Sequence, residues 1–82
     1  MASFNRVILM GHLVKDPELK YSQSGQAIAK FSLAINNGKG KDGKDREPDF
    51  FDIESWDKTA ELASEYLKKG SGVLVEGRLK QD

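Results

Sequence analysis

The residues best equipped for chemistry lie together in Asp49-Phe50-Phe51-Asp52-Ile53-Glu54-Ser55-Trp56. Three aromatic rings and a β-branched isoleucine, with no Gly or Pro, predict a strand whose successive side chains take opposite faces. Phe51, Ile53 and Ser55 then face a core, while Phe50, Asp52, Glu54 and Trp56 share the other side. Large rings beside carboxylates exclude an ordinary dry interior there. Phe50 and Trp56 stand about 20 Å apart at strand rise, a span that suits several stacked planar bases better than one small ligand. Stacking a base on an aromatic ring contributes roughly 1–3 kcal/mol and is indifferent to base identity, because every base has a π-face. The competing reading packs Trp56 on the following helix and puts Phe50 in an oligomer contact. Aromatic side chains pack more often than they bind, and the strand alone leaves both readings open.

Neighbouring elements must hold this strand in place. Asn5 to Leu13 is rich in branched apolar residues and reads as the first strand, with Gly11 marking a bulge or a close backbone approach. Val7, Leu9 and Leu13 face one way, and Arg6, Ile8, Met10 and His12 the other. Apolar residues on both sides predict a strand covered on both, with a partner subunit over Ile8 and Met10. Asp16-Pro17 is a turn, Glu18 to Tyr21 prolongs the first strand, and Ser24-Gly25 closes a hairpin. Ala27 to Asn36 is the second strand, alternating Phe31, Leu33 and Ile35 with Lys30, Ser32 and Ala34. Lys30 and Ser32 are placed either to meet a phosphate or sugar or to form a plain solvated face.

Asn37 to Pro48 holds three glycines and no apolar side chain apart from its closing proline, which predicts a mobile hairpin loop. Lys39, Lys41, Lys44 and Arg46 would let it wrap a phosphate backbone, though its nearly balanced charge also suits a merely soluble loop. The organising strand is the third. After it, Leu62, Ala63, Tyr66 and Leu67 fall at helical spacing over Asp57 to Lys69, with Asp57 as N-cap and Gly70 as the stop. Val73 to Leu79 is the fourth strand, with Gly77 marking a bend or close approach. Strand, strand, strand, helix, strand is the order of a Greek-key oligonucleotide-binding barrel, in which strands two and three form the binding face. The fold class expected is therefore all-β with one short helix: a five-stranded barrel of this kind, present here through strand four.

Composition limits the partners. The 82 residues form one small domain over 1–82, and a chain this short has a marginal core of its own. It contains no cysteine, so neither a disulfide nor a thiolate metal cluster supplements that core, and an intracellular, reducing compartment is expected. Oligomerisation is the remaining source of stability. Thirteen basic and thirteen acidic residues cancel, so any nucleic-acid binding must come from local cations and stacking. The first apolar run is interrupted at Gly11 and His12, too short for a signal or membrane segment.

Taken in order, Asn5-Arg6-Val7-Ile8-Leu9-Met10-Gly11-His12-Leu13, Asp16-Pro17-Glu18-Leu19-Lys20-Tyr21, Ser24-Gly25, Phe51-Asp52-Ile53, Ala60-Glu61, Tyr66-Leu67-Lys68-Lys69-Gly70-Ser71 and Val75-Glu76-Gly77-Arg78-Leu79 resemble the bacterial single-stranded DNA-binding protein family nearly end to end. The resemblance implies a homotetramer of oligonucleotide-binding barrels around which single-stranded DNA wraps without sequence preference, in DNA replication, recombination and repair. It implies a cytoplasmic, nucleoid-associated protein with no cofactor, no metal and no membrane partner. Phe50 and Trp56 then stack on bases, Lys58 contacts phosphate, and Arg6 is a further basic contact beside Lys30 and Ser32. First strands of two subunits lie together in the family dimer, which puts Asn5, Val7, Ile8 and Met10 at the oligomer interface.

The sequence also departs from the family. Where a further aromatic often begins the loop after strand two, it has Asn37, Gly38 and Lys39. Family chains continue past the Arg78-Leu79 region into a hairpin with another stacking aromatic, a fifth strand, and a flexible tail whose acidic tip recruits replication and repair proteins. With its last residue at Asp82, this sequence reads as C-terminally truncated, its barrel carrying an open seam. Recruitment of those proteins is expected only if the native chain has such a tail.

Other classes are weaker. Asp52 and Glu54 could bind a divalent ion for phosphodiester hydrolysis, but no third ligand is in view. His12, the sole histidine, lacks a Ser or Cys partner at a recognisable spacing and reads as a strand-surface residue. Gly38, Gly40 and Gly43 match neither a P-loop nor a dinucleotide fingerprint. No enzyme is expected. The serious rival is a protein-interaction adaptor of the primosomal type, which shares the barrel, dimerises and recruits replication partners.

Overall fold

The computed structural model describes residues 2–81. In chain order the elements are β1 (Val7–Leu13), β2 (Glu18–Tyr21), β3 (Ala27–Ile35), β4 (Asp49–Trp56), α1 (Asp57–Tyr66) and β5 (Gly72–Gly77). All strand pairings are antiparallel, and β3 is the centre. All of it from Ile28 to Ile35 pairs with β4 on one edge. On the other edge β2 takes Ala27–Lys30 and the end of β1 takes Leu33 and Ala34. β5 continues the sheet along the far side of β1, from Val7↔Gly77 to His12↔Gly72.

Glu18–Tyr21 corrects one expectation. It does not prolong the first strand, because the chain leaves the sheet through a bend and Pro17 between Val14 and Pro17. It returns as β2 along the same edge of β3, so β1 and β2 act as one interrupted edge. The Ser24-Gly25 turn closes the β2–β3 hairpin as expected: Gly25 takes φ 86° and its N–H donates to the Ser22 carbonyl at 2.9 Å. Asn37–Pro48 folds into a second hairpin. The Gly40 N–H reaches the Lys44 carbonyl at 2.8 Å and the Arg46 N–H reaches that of Gly38 at 2.8 Å.

Gly11 is a close approach rather than a bulge. The β1–β5 register runs unbroken through it, and an added methyl group would run into the Ala34 carbonyl oxygen of β3. Gly77 has open space around it, so no close approach explains that glycine.

α1 begins at Asp57 as expected but caps differently. Trp56 occupies the N-cap position, no side chain caps it, and Asp57 itself takes φ 56°, a left-handed conformation that a short polar side chain tolerates better than most. The helix stops at Tyr66, three residues earlier than its periodicity predicts. Leu67 turns extended, and the next residues are tied elsewhere: the Lys69 N–H donates to Asp16 Oδ1 at 2.8 Å and the Lys68 N–H to Ser71 Oγ at 3.0 Å.

The core is small, as the chain length required. Leu13 and Leu33, opposite one another, are 2% and 0% exposed, and Ala27, Ala29 and Ala60 are buried together where α1 lies on β3. Three small side chains let the helix backbone approach the sheet closely. Among the described residues β4 pairs only with β3 and β5 only with β1, so the barrel is not closed.

Candidate nucleic-acid interface

Directly opposed residues of antiparallel strands project from the same face, so the register sorts the sheet into rows. The inner face carries Val7, Leu9, Gly11 and Leu13 of β1, Ala29, Phe31 and Leu33 of β3, and Phe51, Ile53 and Ser55 of β4. The outer face carries four rows that cross β3. Lys20, Ile28 and Trp56 form the first, Glu18, Lys30 and Glu54 the second. Ser32 and Asp52 form the third, and Gly72, His12, Ala34 and Phe50 the fourth.

The aromatic rows therefore bracket a polar belt. Phe50 is 62% exposed and Trp56 41%, so neither ring is sealed inside and both are open to a planar ligand on one surface. In each aromatic row the β3 neighbour is aliphatic, Ala34 or Ile28, and gives the rings a low, apolar floor. The intervening rows are mainly anionic. Asp52 accepts a hydrogen bond from Ser32 Oγ at 2.9 Å, and Lys30 Nζ lies 4.0 Å from Glu54 Oε2 with Glu18 opposite it on the other side.

The residues expected at the interface are thus placed as follows. Phe50, Trp56, Lys30 and Ser32 come together on the outer face, and Lys58 is exposed in the first turn of α1, two residues beyond Trp56. Lys30 and Ser32 face carboxylates rather than standing free. Arg6 is not gathered with them: it precedes β1 at the end remote from the Phe50 row, about 20 Å from His12 at strand rise, and its Nη2 donates to Glu76 Oε2 at 2.8 Å. Asp52 and Glu54, weighed as cation ligands, are engaged by Ser32 and Lys30, and no metal-binding cluster of three or more His, Asp or Glu occurs among the described residues.

Of the residues expected at the oligomer interface, Ile8 and Met10 are 55% and 70% exposed on the outer face, joined there by Leu74 of β5 at 64%. Val7 points to the inner face and is half-buried. Asn5 is used internally, its side chain exchanging hydrogen bonds of 2.7 and 2.8 Å with the Leu79 backbone. Sequence reasoning passed over Lys20 at this face and gave His12 no role there. The signal was available only once β2 was recognised as a separate strand, because the β2–β3 register is what puts Lys20 in the Trp56 row.

Residues 4–82 match the family described as the single-strand binding protein family. "Single-stranded DNA-binding protein 1" of Synechocystis sp. is 48% identical over 80 residues, which are 98% of this chain and 64% of that one. The single-stranded DNA-binding protein of Treponema pallidum is also 48% identical, over 83 residues, 99% of this chain and 47% of that one. This chain therefore spans about half to two thirds of the length of these curated relatives. In three dimensions it superposes with a TM-score of 0.82 and 42% identity on a deletion mutant of the single-stranded DNA binding protein from Thermus aquaticus, covering 96% of this chain and 34% of that one. The fold sits within that likeness, and with its family match over residues 4–82 the chain belongs to the single-strand binding protein family.

Proposed function

We propose that this chain binds single-stranded DNA without sequence preference, laying bases on Phe50 and Trp56 while Lys20 and Lys58 hold phosphates near the Trp56 row. The observation that carries the reading is the exposure of both rings, 62% and 41%, on one face of one sheet. Stacking tolerates any base, which is why no sequence preference follows. A formal net charge of zero leaves little long-range attraction, so stacking carries a larger share of the affinity than in a basic protein.

Assembly belongs to the same reading. The Ile8, Met10 and Leu74 patch suits a second copy of the chain, and the family likeness supports a tetramer serving replication, recombination and repair in the cytoplasm, in association with the nucleoid. Binding without catalysis is the mode of action.

Fluorescence anisotropy with labelled oligo-dT and with duplex DNA of equal length, across a salt series, tests the proposal. Preference for the single strand, weakening as salt rises, is the expected result. Equal affinity for duplex, or none for oligo-dT, would refute it.

A further inference from the structure

We propose that the far side of the Phe50 row holds a site for one nucleobase, distinct from the faces of the two rings. This rests on the single-stranded DNA reading and extends it. A hollow of about 300 Å³ opens on the outer face between the end of β1, the end of β3 and the returning arm of the Asn37–Pro48 hairpin, near the lower limit of small-ligand sites. Ala34 is its floor, directly between His12 and Phe50 in the fourth row. Two strand spacings separate those two side chains, about 10 Å, and the hollow is lined by His12 and not by Phe50, so a base lying over Ala34 meets the imidazole rather than stacking on the Phe50 ring.

The room exists because of a small neighbour. The His12 ring leans over Gly72 of β5, where an added methyl group would stand 3.4 Å from Nε2, and so leaves Ala34 uncovered. Pro48 adds an apolar wall. The rim is polar: Asn36, Asp45 and Arg46 line it, and among the described residues neither Asp45 nor Arg46 is in an ion pair. Asn36 uses its carbonyl oxygen to accept from the Gly38 N–H at 2.8 Å, which turns its amide nitrogen outward as a donor. An apolar floor with donors and an acceptor at the edge matches a base, which has a flat apolar face and a polar rim. It does not match phosphate, which Asp45 would repel.

His12 is the only histidine in the chain, so its ring protons are assigned directly in a proton NMR spectrum. The full chain is titrated with oligo-dT and with an abasic oligomer of the same length, with Trp56 emission followed in parallel. We expect the His12 resonances to move with oligo-dT and not with the abasic strand. Ala34→Leu, which fills the floor, is expected to weaken oligo-dT binding on the order of 10-fold while Trp56 is still quenched at saturation. Arg46→Ala, on an exposed hairpin where folding is not at stake, is expected to weaken it by several-fold. Quenched Trp56 with unmoved His12 would overturn the site and leave the broader reading intact. Equal movement with the abasic strand would put a phosphate there and also overturn it. Absence of Trp56 quenching would bring down both.

Discussion

Trp56 stands where β4 runs into α1, with its own backbone still extended, and that position explains its exposure. The strand aims the indole outward, and the helix starts by turning away from it. Trp56→Ala is expected to cost about 1–3 kcal/mol in oligo-dT binding and to leave thermal stability nearly unchanged, a contrast that a binding isotherm and a melting curve on the same variant would establish. Ser64 gives the opposite case. Its hydroxyl is buried without a hydrogen-bond partner, so Ser64→Ala removes a desolvated polar group and is expected to raise stability by about 1 kcal/mol, seen as a higher denaturant midpoint at constant slope. The outward pair Phe50 and Trp56 was legible in the sequence, because a strand's two-residue period fixes faces before any contact is known. The environments of Lys30 and Ser32 were not, since they depend on carboxylates from other strands.

Among the elements, the cross-strand rows decide where a polyanion can run. Glu18, Asp52 and Glu54 sit between the two aromatic rows with Lys30 as the cation among them, so phosphates are turned away from the middle of the face. At about 8 Å in water, each carboxylate–phosphate repulsion is worth about 0.5 kcal/mol. The Asp52→Asn, Glu54→Gln double variant is therefore expected to bind oligo-dT about 5-fold more tightly at low salt, with the gain vanishing near 1 M salt as screening takes over. Unchanged affinity at low salt would mean that the backbone never approaches the belt. Helix and strand types were readable from periodicity, but three boundaries were not. Pro17 splits β2 from β1, Asp16 captures Lys69 from 53 residues away, and Asp57, a good N-cap by type, is used for its tolerance of a left-handed backbone. The Asp16 contact is a tertiary effect with no local signature.

The molecule as a whole is thin and extended. Its extents are 52 × 40 × 20 Å and its radius of gyration is 14.9 Å, where a compact chain of this length has roughly 12 Å. It exposes 6910 Å², about 2,000 Å² more than a compact monomer of its mass. Surface of that extent is available to further copies, and Ile8, Met10 and Leu74 form an exposed apolar patch on its outer face. Met10→Asp is expected to lower the mass measured by light scattering while the far-ultraviolet circular dichroism stays as it was, because Met10 is exposed in the single chain and contributes little to its core. The apolar outer row of β1 was readable from the two-sided apolar character of the first strand. The location of the patch required the β1–β5 register.

The central claim is that bases, not merely phosphates, lie against the outer face. Titrating the chain with oligo-dT and with an abasic strand of equal length and charge, while following the emission of Trp56, separates the two. Strong quenching by oligo-dT with little by the abasic strand is the predicted result. Equal quenching by both, or none by either, would contradict it.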